Sequence, residues 1–518
     1  MLISILNQDH GFLPYKLLFC SILYLISFGF YMMNQKKQRR NSDKNRGAVF
    51  EGPKSYPILG CTLSFIANRH RVSQWITELL RLSPTQTIVL KRLGGIHQII
   101  TANPANVQHI LKSNFPNYPK GQFGREIMAD FLGQGIVNSD GEPWKFQRKI
   151  AIHGFNTKSL KKFIHHVVEE ELFTRLIPLL EKAAMENMIL DLQDVLESFA
   201  FDNICNIAFG WDPCCLHVDA LLESEFAEAF DSAATLSSER FRSLAPWSWK
   251  LKRLFDIGTE RKLRISIDKV KGLAIELIQR KKAEARPTGI EVEDLLSRFL
   301  NAGIDEDIIR DIVICFVLAG RDTTSAALTW FFWLLARHPH VEEAIIKEIG
   351  HKDGINMGLD DIKDLNYLHA SIYESMRLYP PVPVDTKEAA REDVLPDGTK
   401  VRKGSRVSYH PYAMGRMEAL WGKDYEDFKP ERWLDKENGM FVPCDSFKYA
   451  VFQAGPRICM GKEMAFVQMK TVVVALLKRF RIRIANSNFK AVYVLGLTSK
   501  MEGGFSVRIE KRSEKVLA

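Results

Sequence analysis

Residues 312–336 are almost uninterrupted apolar sequence, long enough to cross a bilayer, yet Arg321 and Asp322 stand at their middle with Thr323, Thr324 and Ser325. Two charges at a membrane centre cost about 3 kcal/mol each on insertion scales. A helix in the core of a large protein is cheaper, because neighbouring elements can neutralise the pair. Asp305, Glu306 and Asp307 favour a helix start, and His338-Pro339 marks its end. Inside it, Gly320 lacks a side chain and Thr323 can compete for backbone hydrogen bonds, so a kink is predicted there. Taken alone, the Arg-Asp-Thr stretch reads as a polar defect in a buried helix. Such a segment requires a thick helical body around it.

The 518 residues are enough to supply one, with 46% hydrophobic and 26% charged residues. Helical patterns run from 103 to about 375. Strand-like runs occur at 87–90 and 98–101, again between 382 and 408, and after 481. No repeat and no break in composition divides this body, so one mainly α domain with a small β-rich region is expected. A net charge of +9 suits an acidic partner or membrane surface. No nucleic-acid-binding motif accompanies it, so no nucleic-acid partner is expected.

An uncharged apolar run at 17–33 precedes Lys36, Lys37, Arg39, Arg40, Lys44 and Arg46. The order predicts one N-terminal transmembrane helix, with the rest of the chain in the cytosol. A cleaved signal peptide is the rival reading, but a small-residue cleavage site is lacking. The expected division is therefore an anchor at 1–34, a basic and Pro/Gly-rich linker at 35–60, and a catalytic domain at 61–518. Cysteines at 20, 61, 205, 214, 215, 315, 444 and 459 show no paired spacing, as in a reduced, cytosol-facing protein.

Cys459 stands apart because of its neighbours Phe452, Gly455, Pro456, Arg457 and Gly461. The loop reads as a cradle for haem iron. A cysteine thiolate pushes electron density onto that iron and favours cleavage of an O–O bond. Gly455 and Gly461 would let backbone approach the ligand closely, Pro456 stiffens the turn, and Arg457 can offer donors to a haem propionate. A helix from Lys462 would turn its N-terminus toward the sulfur and favour the thiolate. An inert buried thiol is the bland alternative for a lone cysteine. Beside such a loop, Asp322 and Thr323 become candidates for relaying protons to dioxygen.

These motifs together resemble the cytochrome P450 family from about residue 50 onward. Further segments, at 117–121, 201–210, 378–384 and 412–422, are similar to the plant fatty-acid ω-hydroxylase-like clan, which includes jasmonoyl-isoleucine hydroxylases and steroid side-chain C26 hydroxylases. The resemblance implies the cytochrome P450 fold, haem b with Cys459 as axial ligand, and the endoplasmic reticulum membrane. Trp144 and Arg148, four residues apart on one helical face, should contact the propionates. Glu374 and Arg377 would in isolation be a surface pair. The resemblance instead puts them with Arg432 in a buried structural network. It also makes Phe123, Phe316, Ala319, Val382, Leu497 and Thr498 the expected lining of a substrate pocket, although apolar residues there could equally be core.

The sequence holds no dinucleotide fingerprint, so electrons should come from NADPH–cytochrome P450 reductase, docking near Lys145, Lys149 and Lys462. The expected reaction is hydroxylation of the terminal (ω) or near-terminal carbon of a lipid chain with O2, with further oxidation of the alcohol as an open second step. Candidate substrates are a long-chain fatty acid, a sterol side chain at C26, or jasmonoyl-isoleucine at carbon 12. Two other classes remain open at this point. A haem sensor or electron carrier would not need Asp322 and Thr323, and a non-haem membrane scaffold would use 312–336 as a second span.

Overall fold

The computed structural model describes residues 52–512, apart from 58, 156–157, 217–220, 244–246, 285–293 and 351–357. The expected anchor and the basic part of the linker lie outside the described residues. The end of the Pro/Gly stretch is docked. Tyr56 and Gly60 exchange backbone hydrogen bonds of 2.9 and 2.8 Å, and Cys61 N donates to Lys91 O at 2.8 Å. Gly60 sits at φ +56°, and a Cβ there would lie 2.0 Å from Lys91 O. Only glycine fits that approach.

The apolar segment that dominates the sequence forms the core. It is α-helical over Glu306–Val317, passes through a π turn at Leu318–Asp322, and resumes over Thr323–Arg337. Asp305 caps it by accepting a hydrogen bond from Asp307 N. The helix is long and apolar enough to span a membrane, but 83% of its apolar window is buried inside the protein. The predicted kink takes the form of this π turn, in which one extra residue widens the backbone.

Helix Leu192–Phe209 packs along the second half of this axis and along the π turn. It is buried nearly all round, as its lack of a polar face requires. Asp191 caps its start, and Gly210 ends it in the left-handed conformation at φ +65°. Helices Asn366–Leu378 and Lys462–Arg479 also pack against Thr323–Arg337. A four-stranded sheet lies to one side, ordered Thr87–Lys91, His97–Thr101, Arg406–Tyr409, Asp385–Glu388. Its middle pair is parallel and both outer pairs are antiparallel. Three smaller sheets complete the β structure of the described residues.

Glu374, Arg377 and Arg432 come together as the family resemblance implied. Glu374 and the Arg377 side chain are fully buried. Arg377 meets both carboxylate oxygens at 2.7 and 2.8 Å. Arg432 Nε reaches Glu374 Oε1 at 3.2 Å, the Lys429 amide donates to the same oxygen, and Trp433 Nε1 donates to Oε2 at 2.9 Å. The remaining Arg377 donors reach the carbonyls of Gly415, Tyr425 and Asp427. Arg432 also holds Asp424 at 3.0 Å. Every polar atom here needs its partner, so removing one strands a buried charge. Glu374→Ala is expected to cost about 3–5 kcal/mol of stability. Denaturant unfolding would read this, and a loss below about 1 kcal/mol would show that the network does not hold the fold.

Candidate active site

A cavity of about 1230 Å³ opens between the π turn, the Cys459 loop, helix Gly141–Phe155, and the end of the four-stranded sheet. All six expected pocket residues, Phe123, Phe316, Ala319, Val382, Leu497 and Thr498, line it. So do Thr323, Trp144, Arg148, Phe452, Arg457, Cys459 and Gly461. Asp322 does not line this cavity.

The cysteine loop is shaped by two residues at positive φ, Gln453 (+58°) and Gly455 (+64°). A Cβ on Gly455 would lie 2.1 Å from Leu111 O, so this glycine lets the loop close against that backbone. At Gly461 the backbone is unstrained, and among protein atoms an added Cβ would meet only Cys459 Sγ at 3.9 Å. Cys459 N donates to Phe452 O at 2.8 Å and closes the loop. The sulfur is packed round by protein and open on its cavity side. Burial raises its pKa, while the amides of Gly461 and Lys462 and the charges of Arg148 and Lys462 pull it down.

Several donors converge on the same side. Arg148 lies 5.8 Å from the Trp144 ring and donates to Ile458 O at 2.7 Å. Arg457 sits 4.4 Å over the same Trp144 ring and is held by Asp140 at 2.6 Å and Ser139 O at 2.9 Å. Its Nε is buried without a hydrogen-bond partner among the described residues. Such an orphan donor points to an anionic group that the protein alone does not provide. Lys120 and Lys387 also line the cavity and share Asp385, at 3.3 and 2.7 Å. Burial works to raise the Asp385 pKa, but the two lysines outweigh it and hold the carboxyl well below its usual range. Burial pulls Lys387 down to about 8. A cysteine loop shaped by glycine, with an unsatisfied arginine donor beside it, fits a haem bound through sulfur and propionates.

Across the cavity, Thr323 Oγ1 donates to Ala319 O at 2.6 Å within the π turn. Gly320 does more than weaken the helix. A Cβ there would lie 2.4 Å from the Ile204 side chain, so its absence lets two helices touch. The adjacent Asp322 turns into a buried ion network that sequence reading missed. Arg321 contacts Asp322 at 3.1 Å, Glu197 at 3.1 Å and Asp231 at 2.6 Å, and Lys500 closes the group on Glu197 and Asp231. Burial raises the Asp322 pKa against the opposing pull of Arg321, and raises Glu197 to about 7. Thr498, which lines the cavity, donates through Oγ1 to Asp322 Oδ2 at 3.3 Å. Asp322 therefore meets the cavity wall through Thr498. A buried arginine demanding counter-charges was the signal available, but not which acids would answer.

A thiolate loop on one wall, a threonine-bearing π turn on another, and a large apolar pocket between them define a haem-thiolate monooxygenase. The chain belongs to the cytochrome P450 family, whose model matches residues 50–498. It is 52% identical over 467 residues to cytochrome P450 94A1 of Vicia sativa, covering 89% of this chain and 90% of that protein. It is 47% identical over 509 residues to cytochrome P450 94B3 of Arabidopsis thaliana, covering 97% and 99%. To cytochrome P450 94C1 of the same plant it is 49% identical over 453 residues, covering 85% and 90%. The chain is thus a plant cytochrome P450 monooxygenase of the fatty-acid ω-hydroxylase-like clan, with haem b on a cysteine thiolate. The family generally draws electrons from a reductase partner and acts on hydrophobic substrates.

Gly455→Ala combines a backbone clash with left-handed strain and is expected to destabilise the holoprotein by about 2–4 kcal/mol. Thermal unfolding and haem content would both fall. Unchanged haem content and melting temperature would remove Gly455 from the set of residues shaping the loop.

Proposed function

We propose that this protein hydroxylates the terminal or near-terminal carbon of a lipid chain, taking electrons from NADPH–cytochrome P450 reductase. One observation carries the reading: Cys459, Thr323 and the apolar residues Phe316, Ala319, Val382 and Leu497 all open onto a single cavity. A long-chain fatty acid is the leading substrate, jasmonoyl-isoleucine and a sterol side chain being the competitors. Bound haem supplies reductive activation of O2 and insertion of one oxygen atom into a C–H bond.

In this reading Cys459 ligates the iron. The Gly461 and Lys462 amides stabilise its thiolate, while Trp144, Arg148 and Arg457 hold the propionates. Phe452 packs beside the loop, its ring 5.5 Å from that of Phe466. Thr323 holds a proton donor at its Oγ1, and Asp322 fixes Thr498 and the turn from behind. Terminal carbons carry stronger C–H bonds than interior ones, so selecting them depends on admitting only the chain end. Phe316, Ala319, Val382 and Leu497 would set that limit.

Reductase docking is assigned to the surface around Cys459. Lys149 is exposed, as are Phe146 and Ile458. Lys145 shares its charge with Glu142 at 2.7 Å, and Lys462 lies 5.7 Å from the Phe452 ring. The division into anchor (1–34), linker (35–60) and catalytic domain (61–518) is retained, with the catalytic domain on the cytosolic face of the endoplasmic reticulum. Exposed Trp247, Leu251, Leu254, Phe255 and Ile257, interspersed with Lys250, Lys252 and Arg253, support contact with a membrane.

The deciding experiment is reductase-supported turnover in microsomes, with a long-chain fatty acid and a side-chain-hydroxylated sterol competing and products located by mass spectrometry. Oxygen on a chain-terminal carbon is expected. Attack only at interior or ring carbons would overturn the reading. Thr323→Ala should keep the thiolate carbon-monoxide difference band while product per NADPH falls on the order of ten- to hundredfold. Full coupling in that variant would remove Thr323 from proton delivery. Cys459→Ser should lose the thiolate band altogether.

A further inference from the structure

Two cations that line the cavity have no part in the chemistry above. Arg92 lies in the turn between the first two strands of the four-stranded sheet, its amide donating to Ile96 O at 2.9 Å. Its guanidinium lies 4.5 Å over the Phe65 ring and 3.5 Å from Gln98 Oε1. Arg406 begins its strand directly beside Gln98 on one neighbour and Glu388 on the other. Its guanidinium covers the Phe123 ring at 3.1 Å. Register thus gathers Arg92, Gln98 and Arg406 at one end of the sheet.

The other half-buried or buried cations of the cavity are accounted for. Lys120 and Lys387 have Asp385, and Arg457 has Asp140. Arg148 is engaged beside Cys459. Arg69, Arg242 and Lys252 are exposed to water. Arg92 and Arg406, both half-buried, have no carboxylate within 4.0 Å among the described residues. Glu388, the nearest acid acting on Arg406, instead accepts from the Phe123 amide at 3.2 Å. Burial lowers the pKa of both arginines. That of Arg406 falls to about 10, driven further by the charge of Arg92. Partly desolvated like charges without an acid are costly, and a carboxylate arriving between them would relieve the cost. Guanidinium forks match a carboxylate in two-point contact, and the flanking Phe65 and Phe123 suit the first methylenes of a chain.

Partners, not distance, separate this pair from the neighbouring cations. Register places Lys387 opposite Val407, one residue along from Arg406, but Asp385 neutralises that lysine, whereas neither Arg92 nor Arg406 has such an acid among the described residues. We propose that Arg92 and Arg406 bind the carboxylate of the substrate, making the enzyme selective for anionic acyl chains over neutral sterols. The proposal rests on the reading of the cavity as a lipid-hydroxylase site. Free fatty acids and acyl–amino-acid conjugates share this carboxylate chemistry.

The test uses full-length protein in microsomes and titrates the haem absorbance with a long-chain fatty acid, its uncharged methyl ester, an acyl–amino-acid conjugate, and a side-chain-hydroxylated sterol. Wild type should bind at least one of the acids roughly tenfold tighter than the ester or the sterol. R92Q and R406Q should each weaken acid binding by about tenfold and leave the ester unchanged. R406K, which keeps the charge, should retain most of the preference. Which acid responds identifies its source. Equal affinity of wild type for acid and ester, or an acid preference that survives in the R92Q/R406Q double variant, overturns the proposal. Folding is checked by the carbon-monoxide band. The titration needs no turnover, so it is separable from the parent reading: chain-end oxygenation of the ester with no acid preference sinks the carboxylate site alone. Absence of chain-end products from every lipid sinks the hydroxylase reading.

Discussion

A guanidinium buried at the midpoint of the central helix sets the terms for much of this molecule. Arg321 is 3% exposed and cannot remain charged there without acids around it. Asp322 comes from its own turn, Glu197 from the helix packed alongside, and Asp231 from helix Leu221–Arg242. Lys500 arrives from the C-terminal β region to balance the surplus of acid. Four distant parts of the chain are thereby fixed to one another. The π turn that opens toward the cavity is held from behind by this same network.

Much of this was legible in sequence because its signals are local. The central helix, its acidic cap and its stop lie within one continuous segment, and the strands at 87–91 and 97–101 each carry a short β-branched, apolar run. The cysteine loop, the Trp144–Arg148 helix face and the Glu374–Arg377 spacing are each confined to ten residues or so. What sequence could not supply was depth and direction. Asp322 and Thr323 are neighbours in the chain, but consecutive helix positions point about 100° apart. Thr323 lines the cavity while Asp322 meets Arg321.

Long-range contacts account for the other gaps. Arg92 and Arg406 are separated by most of the catalytic domain and meet only through parallel strand pairing. Asp424 joins the Glu374 cluster through Arg432 from outside the motif that carries that arginine. The positive φ of Gly455 and its contact with Leu111 likewise depend on the folded loop. The fold class could be inferred from periodicity, whereas the electrostatics of the cavity required its walls to be assembled.

The contact between Gly320 and Ile204 has a consequence for how such an enzyme diversifies. Ile204 fills the space a side chain at 320 would occupy, and it also borders the cavity. The width of the chamber beside the π turn is therefore governed from a second helix, at a position free of any proton-handling role. Bulk can be traded between the two sites: a smaller residue at 204 makes room for one at 320, and the chamber contour changes while Thr323 keeps its place. Lineages adapting to thicker or thinner substrates would be expected to vary these two positions jointly, as a matched pair, and to leave the oxygen-facing residues alone.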